Sequence, residues 1–385
     1  MFEIAGKFGT AKVYIEDEAL LEESAREQIQ ALMDNEYVAG STVRIMPDCH
    51  AGKGCVIGFT QTLPNRMVIP SLVGCDIGCG MSAIRITDFE FDKRNLGKLD
   101  NVCHRDVPSG FDLHKTPRPV TDAHPKSLTG INMKSELAKI IAPIDIDKAL
   151  RSIGTLGSGN HFIELNEAEN GDHWLVVHTG SRHLGLEIEG HYTAIASQNA
   201  NGVLTGKDFD DYIHDMAIAQ KFASMNRGEI LTIISDAFKW TMKNVIDYIE
   251  TIHNYIDIEN MIVRKGAIRL EEDERAIIPM NMADGSLIVR GHGNIDWNMS
   301  GPHGAGRLMS RGAARRTLKM EDFKASMDGI YTTTVCEDTI DESKMAYKPM
   351  ESIIAAIKDT CDIVEIVKPI YNFKAAEKRK GKKNG

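Results

Sequence analysis

Six short segments that combine glycine with His, Cys or Asp interrupt the hydrophobic runs of this chain. They are MPDCHAGKG (46–54), GCDIGCGM (74–81), GTLGSGNHFIEL (154–165), VVHTGSRHLG (176–185), TIHNY (251–255) and GPHGAGRLMSRGAARR (301–316). Glycine permits positive φ and close backbone approach. Loops of this kind can therefore bring polar side chains together around a ligand. The sequence predicts a fold that gathers these six segments in one place.

Hydrophobic periodicity between the segments predicts a mixture of helices and short strands. Helical spacing covers 17–33, 208–254 and 349–362, and Gly228 is expected to divide the long middle block into two helices. Strand-like runs occupy 54–60, 82–87, 174–179 and much of 257–290. Because helices and strands do not alternate regularly, we predict an α+β fold. We expect a single large mixed domain over 1–374, with a β-sheet core that carries the site, and a basic tail over 375–385.

Composition limits the classes of function. The net charge of −10 argues against a generic nucleic-acid binder, although a local basic groove can lie on an acidic protein. Seven cysteines in a chain of 385 residues, with no apolar leader at the start, indicate a reducing compartment. We therefore expect a cytoplasmic protein without disulfides. No run approaches the roughly 20 apolar residues needed to cross a bilayer, so no membrane association is expected.

Five residues in the glycine-rich segments are candidate metal ligands. Asp76 and Cys79 lie three apart in one turn, and His161, His178 and His253 lie in three other segments. Together they form a mixed carboxylate, thiolate and imidazole set that suits Zn, Mn or Fe. Each residue also has a simpler interpretation, namely a turn with a buried thiol, a core histidine, or a histidine at the end of a long helix.

The segment around His303 points to phosphate chemistry. GPHGAG is expected to lead into a helix, LMSRGAARRTL, whose first N–H groups could receive a phosphate. Arg307, Arg311 and Arg315 are four apart, so all three would lie on one helical face. Arg182 and Lys53 could extend this basic surface. The alternative is a solvated basic face.

Two other glycine motifs are discounted. GTLGSG (154–159) lacks the strand, GxGxxG and helix context of a dinucleotide site. His292, in GHGN (291–294), has no basic helix directly after it and is interpreted as loop structure.

Taken together, the segments resemble the RtcB family of RNA ligases. The motifs occur in the family's order, with RKGA (264–267), DESKMAYKPM (341–350) and VKPIYNFKA (367–375) in addition, over about residues 41–374. The resemblance implies an enzyme that joins an RNA 3′-phosphate or 2′,3′-cyclic phosphate to a 5′-hydroxyl. It also implies two Mn²⁺ ions, GTP, a histidine–GMP intermediate and an RNA–ppG activated end, in RNA repair or tRNA splicing.

The resemblance also implies roles for individual residues. Cys79 would bridge two metal ions, with His178 and His253 on one ion and Asp76 and His161 on the other. His303 would be the nucleophile, and Cys75 would be a small buried residue. The guanylate pocket would comprise Asn160, Glu164, Asp284, His303, Gly304, Gly306, Tyr347 and Lys374, and the RNA contacts would be Lys53, Arg182, Arg307 and Arg311.

Two features qualify the resemblance. Residues 279–294 read PMNMADGSLIVRGHGN where many family members have PGSMG before the late strand, so the phosphate contacts of this loop are open. In a regular strand, His161 and Glu164 would face opposite sides. Both can reach one site only if the strand begins irregularly after Asn160.

Two other classes of function are kept beside the ligase. A dinuclear metal phosphoesterase would open cyclic phosphates with the same ligands and would not need His303. A non-catalytic RNA-end binder would keep the fold without turnover. The ligand types alone would also accept Zn²⁺. The sequence leaves open an activating protein partner and the oligomeric state.

Overall fold

Three β-sheets and nine α-helices make up residues 1–118 and 130–375, the part of the chain that the computed structural model describes. The helices are α1 (Glu23–Met33), α2 (Lys93–Asp106), α3 (Met133–Leu137), α4 (Ile146–Ser152), α5 (Arg182–Ala196), α6 (Gly206–Phe238), α7 (Arg311–Thr317), α8 (Met320–Ser326) and α9 (Met350–Ala356). The architecture is α+β, as the sequence predicts. Within these residues, no helix combines the length and the apolar character needed to cross a membrane.

A six-stranded sheet holds the N-terminal part of the fold. Its strands are β1 (Phe2–Ala5), β2 (Thr10–Val13), β3 (Val43–His50), β4 (Ile57–Thr62), β9 (Asn254–Asp257) and β10 (Ile262–Lys265). They lie in the order β1-β2-β3-β4-β10-β9, and only the β2–β3 pair is parallel. A two-stranded sheet, β11 (Ala267–Arg269) and β14 (Ser300–Pro302), lies beside it.

A seven-stranded antiparallel sheet carries most of the candidate ligands. Its strands are β5 (Gly80–Ile86), β6 (Phe162–Glu167), β7 (His173–Thr179), β8 (Val245–Ile252), β12 (Arg275–Asn281), β13 (Gly285–Gly291) and β15 (Cys361–Lys374). They lie in the order β12-β13-β15-β6-β7-β5-β8. The fourteen-residue β15 pairs with β13 through its first half and with β6 through its second half.

Strand register brings four separate segments to one edge of this sheet. Gly80, the first residue of β5, lies opposite both Thr179 of β7 and Ile252 of β8. Phe162, the first residue of β6, lies opposite His178. Because neighbouring strands are antiparallel, two of them begin and two end at this edge. The residues just before β5 and β6, and those at or after the ends of β7 and β8, therefore meet there.

Helix α6 joins the hydrophobic cores of the two large sheets. Its first half supplies Phe209, Met216 and Phe222 to the core beneath the six-stranded sheet. Its second half supplies Ile230 and Ile234 to the core beneath the seven-stranded sheet. One continuous helix therefore packs against both large sheets.

The prediction for residues 208–254 was partly wrong. Gly228 does not break α6, because it is buried in the packed middle of the helix, where tertiary contacts outweigh a helix cost of about 1 kcal/mol for glycine. The helix ends instead at Lys239, which has φ +59 in the left-handed region. Residues 245–252 form β8, so His253 follows a strand and does not close a helix.

Other boundaries shift by a few residues. The helix predicted over 17–33 begins only at Glu23, after a short 3₁₀ turn, and the helix predicted over 349–362 ends at Ala356. The strand predicted over 54–60 lies at Ile57–Thr62, while those predicted over 82–87 and 174–179 are confirmed as β5 and β7. Apart from Ala375, the predicted basic tail lies outside the described residues.

A buried arginine of α6 ties the glycine turn before β5 to its neighbours. Arg227 is fully buried and donates to the carbonyls of Gly78 (2.8 Å) and Thr179 (2.9 Å). It also donates to Ser82 Oγ (3.1 Å) and to the carboxylate of Glu250 (2.8 Å). This single side chain therefore connects α6, β5, β7 and β8 at the edge where the ligand candidates meet.

We expect Arg227→Met to destabilise the protein by about 3 kcal/mol, because it removes the cation that pairs with Glu250 and the donor to the Gly78 and Thr179 carbonyls. The measurement is urea unfolding followed by circular dichroism. Lys207→Met, at an exposed position of the same helix in an (i, i+4) pair with Asp211, is the control and should leave the midpoint unchanged. Equal midpoints for the two variants would contradict the role assigned to Arg227.

Candidate functional site

Five side chains converge at the edge of the seven-stranded sheet. Cys79 Sγ lies 3.5 Å from His161 Nε2 and 3.3 Å from His178 Nε2. Asp76 Oδ2 lies 3.0 Å from His161 Nε2, and His178 Nε2 lies 3.3 Å from His253 Nε2. The structure therefore brings together all five residues singled out as candidate metal ligands. We call them the five-residue cluster.

Backbone carbonyls orient two of the imidazoles. His161 Nδ1 lies 2.9 Å from the Leu156 carbonyl, and His178 Nδ1 lies 3.2 Å from the Asn160 carbonyl. A carbonyl can only accept, so both Nδ1 atoms carry a proton. Nε2 of His178 then points into the cluster toward Cys79 and His253, and Nε2 of His161 points toward Asp76 and Cys79. Carbonyl bonds to the outer nitrogen are the usual support of histidines that bind metals.

Burial sets the charge of the cluster. Burial lowers the pKa of His178 and His253 well below its usual range, which keeps both imidazoles neutral. Burial, with Asp76 beside it, raises the pKa of the Cys79 thiol. Burial also opposes ionisation of Asp76, but His161 and Arg182 outweigh it and hold the pKa of that carboxyl below its usual range.

The five residues fit a divalent cation. Neutral imidazoles, a carboxylate and a thiol that a metal would deprotonate form a suitable donor set. The lone pairs of facing nitrogens 3.3 Å apart repel each other unless a proton or a cation lies between them. His253, whose Nδ1 has no partner among the described residues, can supply that proton from Nε2 while both rings stay neutral, and a bound cation would take its place.

His303 lies beside this cluster and is held by Asp48. Its ring centroid lies 5.0 Å from that of His253. Asp48 Oδ2 accepts from the Nδ1 of His303 (2.6 Å) and from its backbone N–H (3.1 Å). Asp48 is fully buried in β3, and its Oδ1 has no partner among the described residues. The pair fixes a proton on Nδ1, so Nε2 is the ring nitrogen of His303 that the carboxylate leaves unused.

Sequence reasoning missed Asp48. The residue lies in MPDCHAGKG, a segment that was singled out, but its role depends on a partner 255 positions away. The available signal was an acid inside an otherwise buried strand, RIMPDCH, because buried carboxylates are rare unless they are paired.

A cleft adjoining the cluster contains most of the other predicted residues. Its lining includes Asn160, Glu164, His303, Gly304, Gly306, Arg307, Arg311, Tyr347 and Lys374, together with His178 and His253 of the cluster. Asp284 is not part of the lining. Its carboxylate accepts a hydrogen bond (2.8 Å) from Asn281, which does line the cleft. Lys53 is exposed and lies outside the cleft, and His292 lies 3.1 Å from Asp362, also outside it.

The geometry of β6 lets His161 reach the five-residue cluster and Glu164 reach the adjoining cleft. The strand begins at Phe162, so His161 is free to turn toward the cluster, as the irregular start predicted from the sequence requires. Glu164 faces the cleft and accepts from Asn166 (3.0 Å) and Asn372 (2.7 Å). Burial raises the pKa of the Glu164 carboxyl to about 7, although both amides and Lys374 favour the ionised form.

Glu342, a second residue that the sequence did not reveal, organises the cationic side of the cleft. Its buried carboxylate accepts from Lys374 Nζ and from the Tyr347 hydroxyl (2.8 Å), and it pairs with Arg307 (3.4 Å) and Arg311 (3.3 Å). Burial opposes ionisation, but Lys374, Arg311 and Arg307 outweigh it and lower the pKa of Glu342 to about 2. The carboxylate therefore stays charged and holds the cations in place.

The predicted arginine helix was wrong in its extent. Helix α7 begins at Arg311 after the Ser310 cap, so seven residues separate His303 from the first residue of the helix. Arg307 lies outside the helix. The three arginines nevertheless converge, because Arg307, Arg311 and Arg315 each contact the Asp341–Glu342 pair. They form a paired network and not a solvated stripe.

Two glycine-turn predictions also have outcomes. Cys75 was expected to be buried and is exposed, although all seven cysteines are free, as predicted. GTLGSG does not form a nucleotide loop before a helix. A Cβ atom on Gly157 (φ +82) would lie 1.8 Å from the guanidinium of Arg182, so the glycine makes room for that arginine. Arg182 in turn lies 3.4 Å from His161 Nδ1.

Comparison with known proteins shows the family of this chain. A family model described as "tRNA-splicing ligase RtcB" matches residues 28–375. The chain belongs to the RtcB family. It is 31% identical over 371 residues to the RNA-splicing ligase RtcB of Escherichia coli K12, with 86% of this chain and 90% of the relative covered. It is 26% identical over 404 residues to the tRNA-splicing ligase RtcB of Aeropyrum pernix, with 80% and 82% covered.

For this RtcB family member we expect Cys79→Ala to lose most of its bound metal, because the substitution removes the thiol at the centre of the cluster. The measurement is metal content by mass spectrometry after loading with Mn²⁺ or Zn²⁺ and exhaustive dialysis. Cys75→Ala is the matched control: it removes an exposed thiol from the same turn and should retain the metal. Equal losses in both variants would show that the ligand assignment is wrong.

Proposed function

We propose that this protein is a GTP- and Mn²⁺-dependent RNA ligase that joins RNA 3′-phosphate or 2′,3′-cyclic phosphate ends to 5′-hydroxyl ends. The observation that supports it most is the Asp48–His303 pair, in which a buried carboxylate binds Nδ1 and orients the imidazole beside the five-residue cluster and within the cleft. The names of the relatives, RNA-splicing and tRNA-splicing ligases, support the same reaction. RNA repair and tRNA splicing are the proposed settings.

His303 would act as the nucleophile toward GTP. With the proton held on Nδ1 by Asp48, the Nε2 lone pair attacks the α-phosphorus. A P–N bond forms, the bond from the α-phosphorus to the bridging oxygen breaks, and pyrophosphate leaves. The buried Asp48 carboxylate stabilises the positive charge that develops on the ring. His303 then carries GMP.

The cleft would bind the guanylate. Glu164 would accept from the N–H groups of guanine, and Lys374 and Tyr347 line the same cleft. Asn160, Gly304 and Gly306 would contact the phosphate at close range, with Asp284 supporting this side through Asn281. Because Glu342 already neutralises part of the positive charge, Arg307 and Arg311 would bind phosphate without an excess of buried charge.

The five-residue cluster would hold two Mn²⁺ ions, with Cys79 between them, His178 and His253 on one side, and Asp76 and His161 on the other. Bound divalent ions neutralise the charge of phosphate groups and activate water. The chain's own contribution is to keep His178 and His253 neutral by burial and to hold the outer nitrogens of His161 and His178 on backbone carbonyls.

The RNA ends would then react in turn. A cyclic phosphate is first hydrolysed to a 3′-phosphate, whose oxygen attacks the GMP phosphorus and breaks the P–N bond to His303. The 5′-hydroxyl attacks the activated 3′-phosphorus, forms the phosphodiester bond and releases GMP. Lys53, Arg182, Arg307 and Arg311 would contact the RNA phosphates. A protein partner that assists turnover is compatible with this scheme.

The test is incubation with α-labelled GTP and Mn²⁺, followed by a denaturing gel. We expect a labelled, acid-labile adduct on the wild type, none on His303→Ala, and a weaker one on Asp48→Asn, which loses the charge that stabilises the ring. His292→Ala is the matched control, because His292 also faces a carboxylate, Asp362, but lies outside the cleft.

The alternative function has a different signature in the same assay. A dinuclear phosphoesterase would open a 2′,3′-cyclic phosphate without any labelled adduct under any metal. That result, or an adduct that persists in His303→Ala, would refute the ligase mechanism.

Placement of Arg182 gives a further expectation. Gly157→Ala should slow ligation by roughly 10- to 100-fold, since the new methyl group displaces the guanidinium. Gly159→Ala is the matched control: Gly159 has the same φ of +82 but nothing within 4 Å of its would-be Cβ atom. Both variants bear the same backbone strain, so the ratio of their rates isolates the clash. A ratio near one would contradict the assignment of Arg182.

A further inference from the structure

A large aromatic side chain lies fully in the open close to the five-residue cluster. Phe111 is 90% exposed, the largest exposed fraction among the large hydrophobic side chains of the described residues. It lies in the loop PSGFDLH (108–114), which follows α2. Neither the hydrophobic cores nor the cleft described above uses it.

The loop that presents Phe111 is fixed by backbone hydrogen bonds. The N–H of Gly110 donates to the Gly157 carbonyl (2.8 Å), and the N–H of Leu156 donates to the Pro108 carbonyl (2.9 Å). These bonds pair the loop with the segment that leads into His161. The position of Phe111 is therefore set by the same glycine-rich segment that carries a candidate metal ligand.

Two contacts connect this loop to the cluster. Arg182 Nη2 donates to the Gly110 carbonyl (3.4 Å), and Arg182 Nη1 lies 3.4 Å from His161 Nδ1. The buried Nε of Arg182 has no partner among the described residues. A guanidinium with an unused donor thus lies between the cluster and the residue next to Phe111.

A cation beside the loop favours an anionic ligand. Within residues 104–118, Arg105 pairs with Asp106 (2.6 Å) and Arg118 pairs with Glu229 (2.6 Å), so the loop's own charges largely cancel. Arg182, on the neighbouring helix, supplies the positive charge and has an unused donor. An aromatic face beside cations is the arrangement that proteins use to hold single-stranded RNA, whose bases stack while phosphates contact the cations.

We propose that Phe111 is a stacking platform for a base of the RNA strand whose phosphate-bearing end enters the five-residue cluster. This inference rests on the proposed function and adds an RNA contact outside the metal and guanylate sites. Every base has a π face, so the platform would accept the strand with little sequence preference. Arg182 would contact the phosphate between the stacked base and the reacting end.

The first test measures the dissociation constant of a short single-stranded RNA with a 3′-phosphate. We expect Phe111→Ala to weaken binding by about 5- to 100-fold, the range for loss of one base stack, and to raise KM more than it lowers kcat. Phe111→Trp should retain wild-type affinity. Met242→Ala is the control, because Met242 is 66% exposed in the turn before β8, at the opposite end of that strand from His253.

A second measurement identifies the contact as stacking. The three native tryptophans, Trp174, Trp240 and Trp297, are buried, so the new indole of Phe111→Trp should report the bound base by quenching of its fluorescence. The complementary change removes the base from the RNA: a series of RNAs carries one abasic nucleotide at successive positions from the 3′ end. When the abasic nucleotide occupies the stacked position, wild type and Phe111→Ala should bind that RNA with equal affinity.

The outcomes separate this inference from the proposed function. Formation of the GMP adduct requires no RNA, so Phe111→Ala should retain it in full. If the wild type seals RNA and Phe111→Ala binds intact RNA as tightly as Met242→Ala, the stacking proposal is wrong and the exposed ring serves a protein partner instead. If the wild type forms neither adduct nor sealed product, the proposed function itself fails.

Discussion

The geometry of the site depends on one buried guanidinium. Arg227 ties the carbonyl of Gly78 to that of Thr179 and reaches Ser82 and Glu250 on two adjoining strands. Hydrogen bonds along a sheet fix the register of strands but not the path of the loop that enters them. Arg227 fixes that path for the turn that contains Asp76 and Cys79. Because α6 packs under both large sheets, the helix that carries Arg227 also packs against the core of the six-stranded sheet, to which the Asp48 strand β3 belongs.

Three buried carboxylates give the cleft its electrostatic character, and each has a different environment. Asp48 faces a single imidazole, Glu342 faces cations, and Glu164 faces neutral amides. The consequence is one acid that orients a base, one that is permanently charged, and one whose pKa lies near neutrality. A ligand with N–H donors would change the protonation of Glu164 more than that of the other two, since Glu164 has a pKa near neutrality and makes no ion pair within the described residues.

The sequence revealed the donor atoms well and their surroundings poorly. Cys79, His161, His178 and His253 could be predicted because each lies in a glycine-rich segment of unusual composition. Asp48 and Glu342 could not, because their roles arise from partners that are distant in the chain and their own segments resemble ordinary strand and loop. The error at 239–254 has a similar cause: β8 has amphipathic spacing compatible with a helix, and only pairing with β5 decides the outcome. Cys75 was misjudged because a glycine turn gives no periodicity from which burial can be inferred.

The long strand β15 has a consequence for how the protein is made. It is the last strand of the seven-stranded sheet in chain order, and it lies between β13 and β6. It also contributes Asn372 and Lys374 to the cleft. During synthesis the chain emerges from its N-terminus, so the cluster residues and His303 are all made before the strand that completes the cleft. A chain that ends before residue 361 would lack Asn372 and Lys374, and β13 would have no strand to join it to β6.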